Sequence, residues 1–355
     1  MKRRTAKSTI MPIVQHLRAD QFGTHIGKYS ERLKITQGGE TLSQAPLLHL
    51  ESLTVAGNGI SLSADAIAAC CERGIPIIFM DMQGTVYASL YSSGLVGTVL
   101  TRRAQLLAYA DERGFTLAQA ITWGKLTNQA ATLRYWARLR EENKNNPEQA
   151  DLLRGYADAV ADQALRIERI IPAPVETESL RETLMGHEGS AARSYWAGAG
   201  LLIPDSYGWP GRLGRGANDA INSLLNYGYG ILYAEVERAI ILAGLDPYAG
   251  FLHADRPGKP SLVLDLIEEV RQIAVDRPVV GLAARNYSVK QDERGLLTDE
   301  TRRDYAEKIV SHLASLVRYE GGRTAIRHVI QSQARHVASY LRGDQPTYAP
   351  FQAES

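Results

Sequence analysis

The chain is 355 residues long, more than one average domain, and its 45% hydrophobic and 22% charged residues suit a globular protein with a core that needs no staples. A net charge of +1 excludes a globally basic nucleic-acid coat, so any polyanion would have to be held by local patches. Two adjacent cysteines, Cys70 and Cys71, exclude a disulfide framework and fit a reducing compartment.

The first stretch, MKRRTAKSTIMPIV, is basic but lacks the apolar core of a signal peptide. No apolar run nears the ~20 residues that span a bilayer. The expectation is a soluble, cytoplasmic protein with no membrane partner. Residues 1–92 read as mostly β, with short alternating runs in FGTHIGKYSERLKIT and LLHLESLTVAGNGISLS broken by Gly and Asn turns. One helix around 63–73 interrupts them, with Ser63 as its cap and the two cysteines as small core residues. IPIIFMD and TVYASLYS then read as strands.

Residues 93–97 form the linker, and after them the pattern turns helical: about 98–113, 116–142, 147–170, 179–197, 217–243, 261–275, 299–319 and 322–342. Thr116 and Asp299 are predicted caps. ENKNNPEQ and IIPAPVETE separate helices, and 346–355 reads as an irregular, mobile tail. The predicted fold class is α+β: a small β-rich N-terminal domain, 1–92, followed by a larger all-α catalytic domain, 98–345.

The stretch GFLHADRPGKPSLVLDLIEEVR places Asp265, Glu268 and Glu269 on one apolar helix, just after His253. At i, i+3 and i, i+4 spacing these acids repel one another. One reading is a solvated stripe in which Glu268 pairs with Arg271. The other follows from the surrounding Leu, Val and Ile, which would desolvate the carboxylates and make a divalent cation the natural relief. The Pro/Gly loop at 257–260 would fold His253 back over the helix. A further ligand is offered by Glu188, next to Gly189 and the small run Ser190-Ala191-Ala192, with His187 as its rival. Carboxylates with one imidazole form a hard set suited to Mg²⁺ or Mn²⁺.

Beyond the acids, Arg212 and Arg215 stand in the Gly-rich loop YGWPGRLGRGAND as candidate phosphate contacts. Lys290, Arg302 and Arg303 are further candidates. Arg318, Arg323, Arg327, Arg335 and Arg342 make the C-terminal helices locally basic. Tyr195, Trp196, Tyr227 and Tyr229 read as core aromatics, and Asn222 and Asn226 as ties between elements.

The segment GHEGSAARSYW, the block RLGRGANDAINSLLNYGYGILYAEVERAIILAGLDPYAGFLH and the following DLIEEVR together resemble the CRISPR-associated integrases of spacer acquisition, the first-numbered Cas proteins. The likeness runs nearly end to end. It implies Glu188, His253 and Glu268 as metal ligands and catalytic residues, with Asp265 in or near the site. Glu268 stands where many members carry Asp, so Asp265 and Glu269 remain alternative ligands. The resemblance implies attack by a DNA 3′-hydroxyl on a phosphodiester, which inserts short foreign DNA into a CRISPR array. It also implies double-stranded DNA as partner, homodimerisation through the β-rich domain, and a heterohexamer with a small ferredoxin-like second-numbered Cas protein. The alternatives are a metal-dependent nuclease, in which water replaces the 3′-hydroxyl, and a non-catalytic DNA-binding scaffold.

Overall fold

The protein is seen in a computed structural model that describes residues 16–91, 99–142, 146–171, 177–214 and 216–353. It divides into two compact units, Met1–Met82 with Val86–Gly94, and Gln83–Thr85 with Leu95–Ser355. Fold class is as expected, strand-rich first and then mostly helical.

In the first unit the strands are β1 (His16–Ala19), β2 (Thr24–Tyr29), β3 (Arg32–Gln37), β4 (Glu40–Pro46), β5 (Ser52–Ala56), β6 (Ser61–Leu62), β7 (Ile77–Met80) and β8 (Val86–Leu90). They form two four-stranded sheets, ordered β1-β5-β7-β8 and β4-β3-β2-β6. Alternation of apolar and polar residues drives this: Leu33 and Ile35 of β3 point inward while their neighbours do not. Helix α1 (Ala64–Glu72) starts where Ser63 accepts a hydrogen bond from the Ala66 amide at 3.1 Å, the predicted cap. Cys70 lies in the core, where burial pushes its thiol up to about 11, and Cys71 is half-buried.

The second unit holds α2 (Val99–Ala108), α3 (Glu112–Glu142), α4 (Pro147–Glu168), α5 (Thr177–Gly200), α6 (Ala220–Leu242), α7 (Ser261–Ile267), α8 (Arg277–Ala283), α9 (Asp299–Leu313), the strands β9 (Leu316–Tyr319) and β10 (Gly322–Ala325), and α10 (Ile326–Arg342). Its core is threaded by α3, which buries residues on most of its faces. Tyr195, Tyr227 and Tyr305 are fully buried within that core.

Several boundaries differ from the pattern reading. Thr116 lies inside α3, whose start is marked by Asp111 accepting from the Arg113 amide at 2.9 Å. Thr298, not Asp299, caps α9, and Asp299 occupies the first turn, where negative charge suits the helix dipole. The helix expected over 261–275 stops at Ile267. A π-helical turn, Gln272–Asp276, then leads into α8, where Pro278 removes an amide from the ladder. Between α9 and α10 the chain forms an antiparallel hairpin where helix was expected, because Glu320 (φ 48°) and Gly321 (φ 77°) make a left-handed turn. The C-terminal segment is irregular, as expected, yet it is pinned: Tyr348 and Phe351 are buried.

Candidate functional site

His253 is positioned by a loop that only glycine permits. A Cβ on Gly250 would lie 2.6 Å from the carbonyl carbon of Ser261 and 2.7 Å from Asp265 Oδ2. The missing side chain lets residues 250–253 lie against the start of α7. Asp265 then accepts three backbone amides, from Phe251 (2.6 Å), Leu252 (3.0 Å) and His253 (2.9 Å). Its Oδ1 also lies 2.8 Å from His253 Nδ1. A buried carboxylate is acceptor-only, so Nδ1 carries the proton and Nε2 is left as the ligating atom. Asp265 is therefore spent on building the loop and orienting the imidazole.

Glu188 and Glu268 arrive from different elements and meet at one nitrogen. The Lys125 ammonium, carried by α3, donates to Glu188 Oε1 at 2.5 Å and lies 2.6 Å from Glu268 Oε2. Arg271 grips the other Glu268 oxygen at 2.9 Å. The side chains of Lys125 and Glu268 are only 5% and 7% exposed, and that of Glu188 is 22% exposed. Burial works to raise the Glu268 carboxyl, but the charges of Arg271 and Lys125 outweigh it and hold it down at about 2. Helix α5 is uncovered at Gly186 and Gly189, where a Cβ would touch nothing within 4 Å, and the Glu188 side chain keeps partial access to water. His187 turns away and bonds Gln163 Oε1 at 2.8 Å.

A second layer fixes Arg271. Its guanidinium lies 4.2 Å from the centre of the Tyr229 ring, and Tyr229 donates its hydroxyl to Asp276. Tyr195 also donates to Asp276, at 2.8 Å. Burial raises the Asp276 carboxyl, opposed by Arg271 and by these two donors. Arg212 joins this wall. It packs over Trp196 and Tyr229 and donates to Asn222 (3.1 Å) and Asn226 (2.8 Å), the predicted ties.

Glu269, the other alternative ligand, faces elsewhere. It is fully buried and accepts from Tyr348 (2.6 Å), Gln333 (2.9 Å) and the Phe351 amide (3.1 Å). Burial pushes its carboxyl up to about 7. Asn128, one turn beyond Lys125, donates to the carbonyls of Glu269 and Phe351 and accepts from the Ala353 amide. A Cβ on Gly124 would sit 2.6 Å from Pro350, so the segment presses directly on α3.

The basic candidates scatter. Lys290 is exposed and pairs with Glu300 at 2.8 Å. Arg302 is 4% exposed and donates to Leu297 O and Asp299, so its burial removes it from any DNA surface. Arg303 is half-buried, and Arg215 lies outside the described residues.

The family model described as CRISPR associated protein Cas1 matches residues 17–310. The chain belongs to the Cas1 family. "CRISPR-associated endonuclease Cas1 1" of Archaeoglobus fulgidus is 36% identical to it over 339 residues, 92% of this chain and 96% of that one. Among solved structures, "Casposase bound to integration product" superposes with a TM-score of 0.75 at 22% identity, over 94% of this chain and 92% of that one. The "Cas6-RT-Cas1--Cas2 complex" superposes with a TM-score of 0.76 at 20% identity, over 99% of this chain and 37% of that one.

In this Cas1 chain the donor set fits a divalent cation on one observation: two glutamates already share a cation, the Lys125 ammonium, with His253 near enough to bias Glu268. Among the described residues no three His, Cys, Asp or Glu side chains close on one point as they stand. The ammonium holds the centre, and an ion would have to displace it. Lys125 went unrecognised in the sequence. On a helix it shares a face with Ile121, Thr122, Asn128 and Gln129, a mostly polar set that gives no sequence signal of a buried charge.

Proposed function

We propose that this Cas1 chain joins the 3′-hydroxyl of a short DNA to a phosphodiester of a CRISPR repeat. The new bond links the attacking oxygen to phosphorus, and the bond to the leaving 3′-oxygen breaks. The attacking hydroxyl gives up one proton and the leaving oxygen takes one. The observation that carries this reading is the convergence of Glu188 and Glu268 on a single cation position, with Glu188 still partly open to water. Glu188, His253 through Nε2, and Glu268 would hold Mg²⁺ or Mn²⁺, with Asp265 orienting the imidazole. Once bound, such an ion supplies Lewis-acid stabilisation of the phosphoryl oxygens. Arg271 keeps Glu268 ionised and aimed, and Lys125, released from its two carboxylates, is placed to neutralise phosphate charge. The attacking group belongs to the DNA, so no Ser, Thr or Cys nucleophile is required.

The integration product named with the casposase supports joining, while the name endonuclease on the curated relatives favours hydrolysis by the same ligands. The partners follow the same reading: double-stranded DNA, a second copy of this chain through the β-rich unit, and a Cas2-type subunit, as in the complex named above. The separating experiment incubates labelled 3′-hydroxyl DNA with a supercoiled repeat plasmid and Mn²⁺. Covalent transfer of label to plasmid supports joining. Fragments without transfer assign hydrolysis, and inertness with and without Cas2 leaves a binding scaffold.

A further inference from the structure

One helical turn away from the carboxylates, the buried interior holds two glutamines. Gln129 stands four residues beyond Lys125 on α3, and Gln272 stands four residues beyond Glu268, where it opens the π-helical turn. Contacts on either side fix their level. Lys125 meets Glu268 before them, and Thr132 accepts from Arg277 at 3.1 Å after them. The two stretches therefore run alongside each other, with both glutamines between those contacts. Side chains on a helix lean toward its N-terminus, which tips each amide back toward the Lys125–Glu268 pair. Gln129 is 2% exposed and Gln272 0%.

Neither amide is satisfied by the fold. Among the described residues Gln129 Oε1, Gln272 Oε1 and Gln272 Nε2 are buried without a hydrogen-bond partner. One turn beyond Glu188, α5 contributes Ala191 and Ala192, which carry no polar side-chain atom. Buried polar groups are nearly always paired, and an unpaired one costs the folded state its lost hydration. Two such carbonyl oxygens at one level, a turn away from a buried ammonium, are acceptors without a donor.

We propose that Gln129 and Gln272 form the receiving site for the Lys125 ammonium: when an ion takes its place between Glu188 and Glu268, the ammonium swings one turn along α3 and donates to the two amide oxygens. This inference rests on the ion-centre reading above. An ammonium has three protons and no acceptor, so on leaving the carboxylates it needs oxygens, and these two are unclaimed. A lysine reaches a side chain four residues on along its own helix. The swing moves the charge by about 5.4 Å, one helical pitch, which leaves it close enough to offset phosphate charge at the ion. Ion affinity is thereby set in part by two residues that do not touch the ion.

The test titrates the full chain with Mn²⁺ in the absence of DNA and reads free Mn²⁺ by electron paramagnetic resonance, alongside the metal-free melting temperature. Gln129→Met/Gln272→Met keeps two long unbranched side chains and removes both oxygens. Its Mn²⁺ affinity is expected to fall by about tenfold, the worth of one hydrogen bond to a charged group. Its metal-free melting temperature should hold or rise, because unpaired buried amides have gone. In a Lys125→Met background, or Lys125→Gln should the first not fold, the same pair of substitutions should leave Mn²⁺ affinity unchanged, since no ammonium needs receiving. The proposal is overturned if the double variant binds Mn²⁺ within about twofold of the parent, which would assign the amides to buried water. It is overturned equally if the loss persists without the lysine, which would assign it to packing. A parent that takes up no Mn²⁺ overturns the ion centre itself, and the receiving site with it.

Discussion

Glu268 and Glu269 are consecutive, both cut off from water, and opposite in behaviour. Around Glu268 two cations, Arg271 and Lys125, gather, and its carboxyl is held at about 2. Around Glu269 there are only neutral donors, and its carboxyl rises to about 7. Burial acts on both in the same direction. What separates them is whether the neighbouring donors carry charge, because hydrogen bonds from an amide and a phenol recover less of the lost hydration than two cations do. One backbone step thus divides a carboxylate held by two cations from a carboxyl that holds the C-terminal segment.

Removing the charged side of this comparison gives the largest effect. Glu268→Ala and Glu188→Ala are expected to cut strand joining by on the order of 100-fold or more, since even the groups that support metal ligands from behind are worth about 10–100-fold. Gel analysis of plasmid-linked label reads this, and near-parental activity in either variant breaks the assignment. Lys125→Met comes next. It strands two carboxylates without a counter-charge and should lower metal-free stability by about 3–5 kcal/mol in urea titrations. Mn²⁺ should restore most of it, and no restoration would mean the ammonium is purely structural.

On the neutral side, a carboxyl raised from its ordinary 4.5 to about 7 makes stability fall as pH rises between those values and level off above about 7. Glu269→Gln should flatten that segment of a stability–pH curve. Persistence of the slope would move its origin to another group. Gly250→Ala should cost about 1–3 kcal/mol by forcing the 250–253 loop off α7, and with it the His253 ring. Smallest of all, Ser63→Ala should remove a cap worth about 1 kcal/mol and leave joining unchanged.

Motif and periodicity carried the outline. The strand-rich start and the helical remainder can be read from local sequence, and the family resemblance singles out Glu188, His253 and Glu268 as the expected ligands. Three things cannot be read in either way. Lys125 looks like any helical lysine until tertiary packing closes both carboxylates on it. Asp265 and Glu269 share composition and spacing with Glu268, and only the loop at Gly250 and the segment at Tyr348 show where each carboxylate points. The β9–β10 hairpin sits inside helical periodicity, overruled by two consecutive left-handed residues.

The contact of Pro350 with Gly124 and the bonds from Phe351 to Glu269 and Asn128 bear on biosynthesis. A nascent chain emerging from the ribosome carries α3 and α7 long before these partners exist. The helices beside Lys125 and Glu268 therefore acquire these supports only after Tyr348, Pro350 and Phe351 have emerged, so the cluster of Lys125, Glu188 and Glu268 is finished by a segment made well after α7.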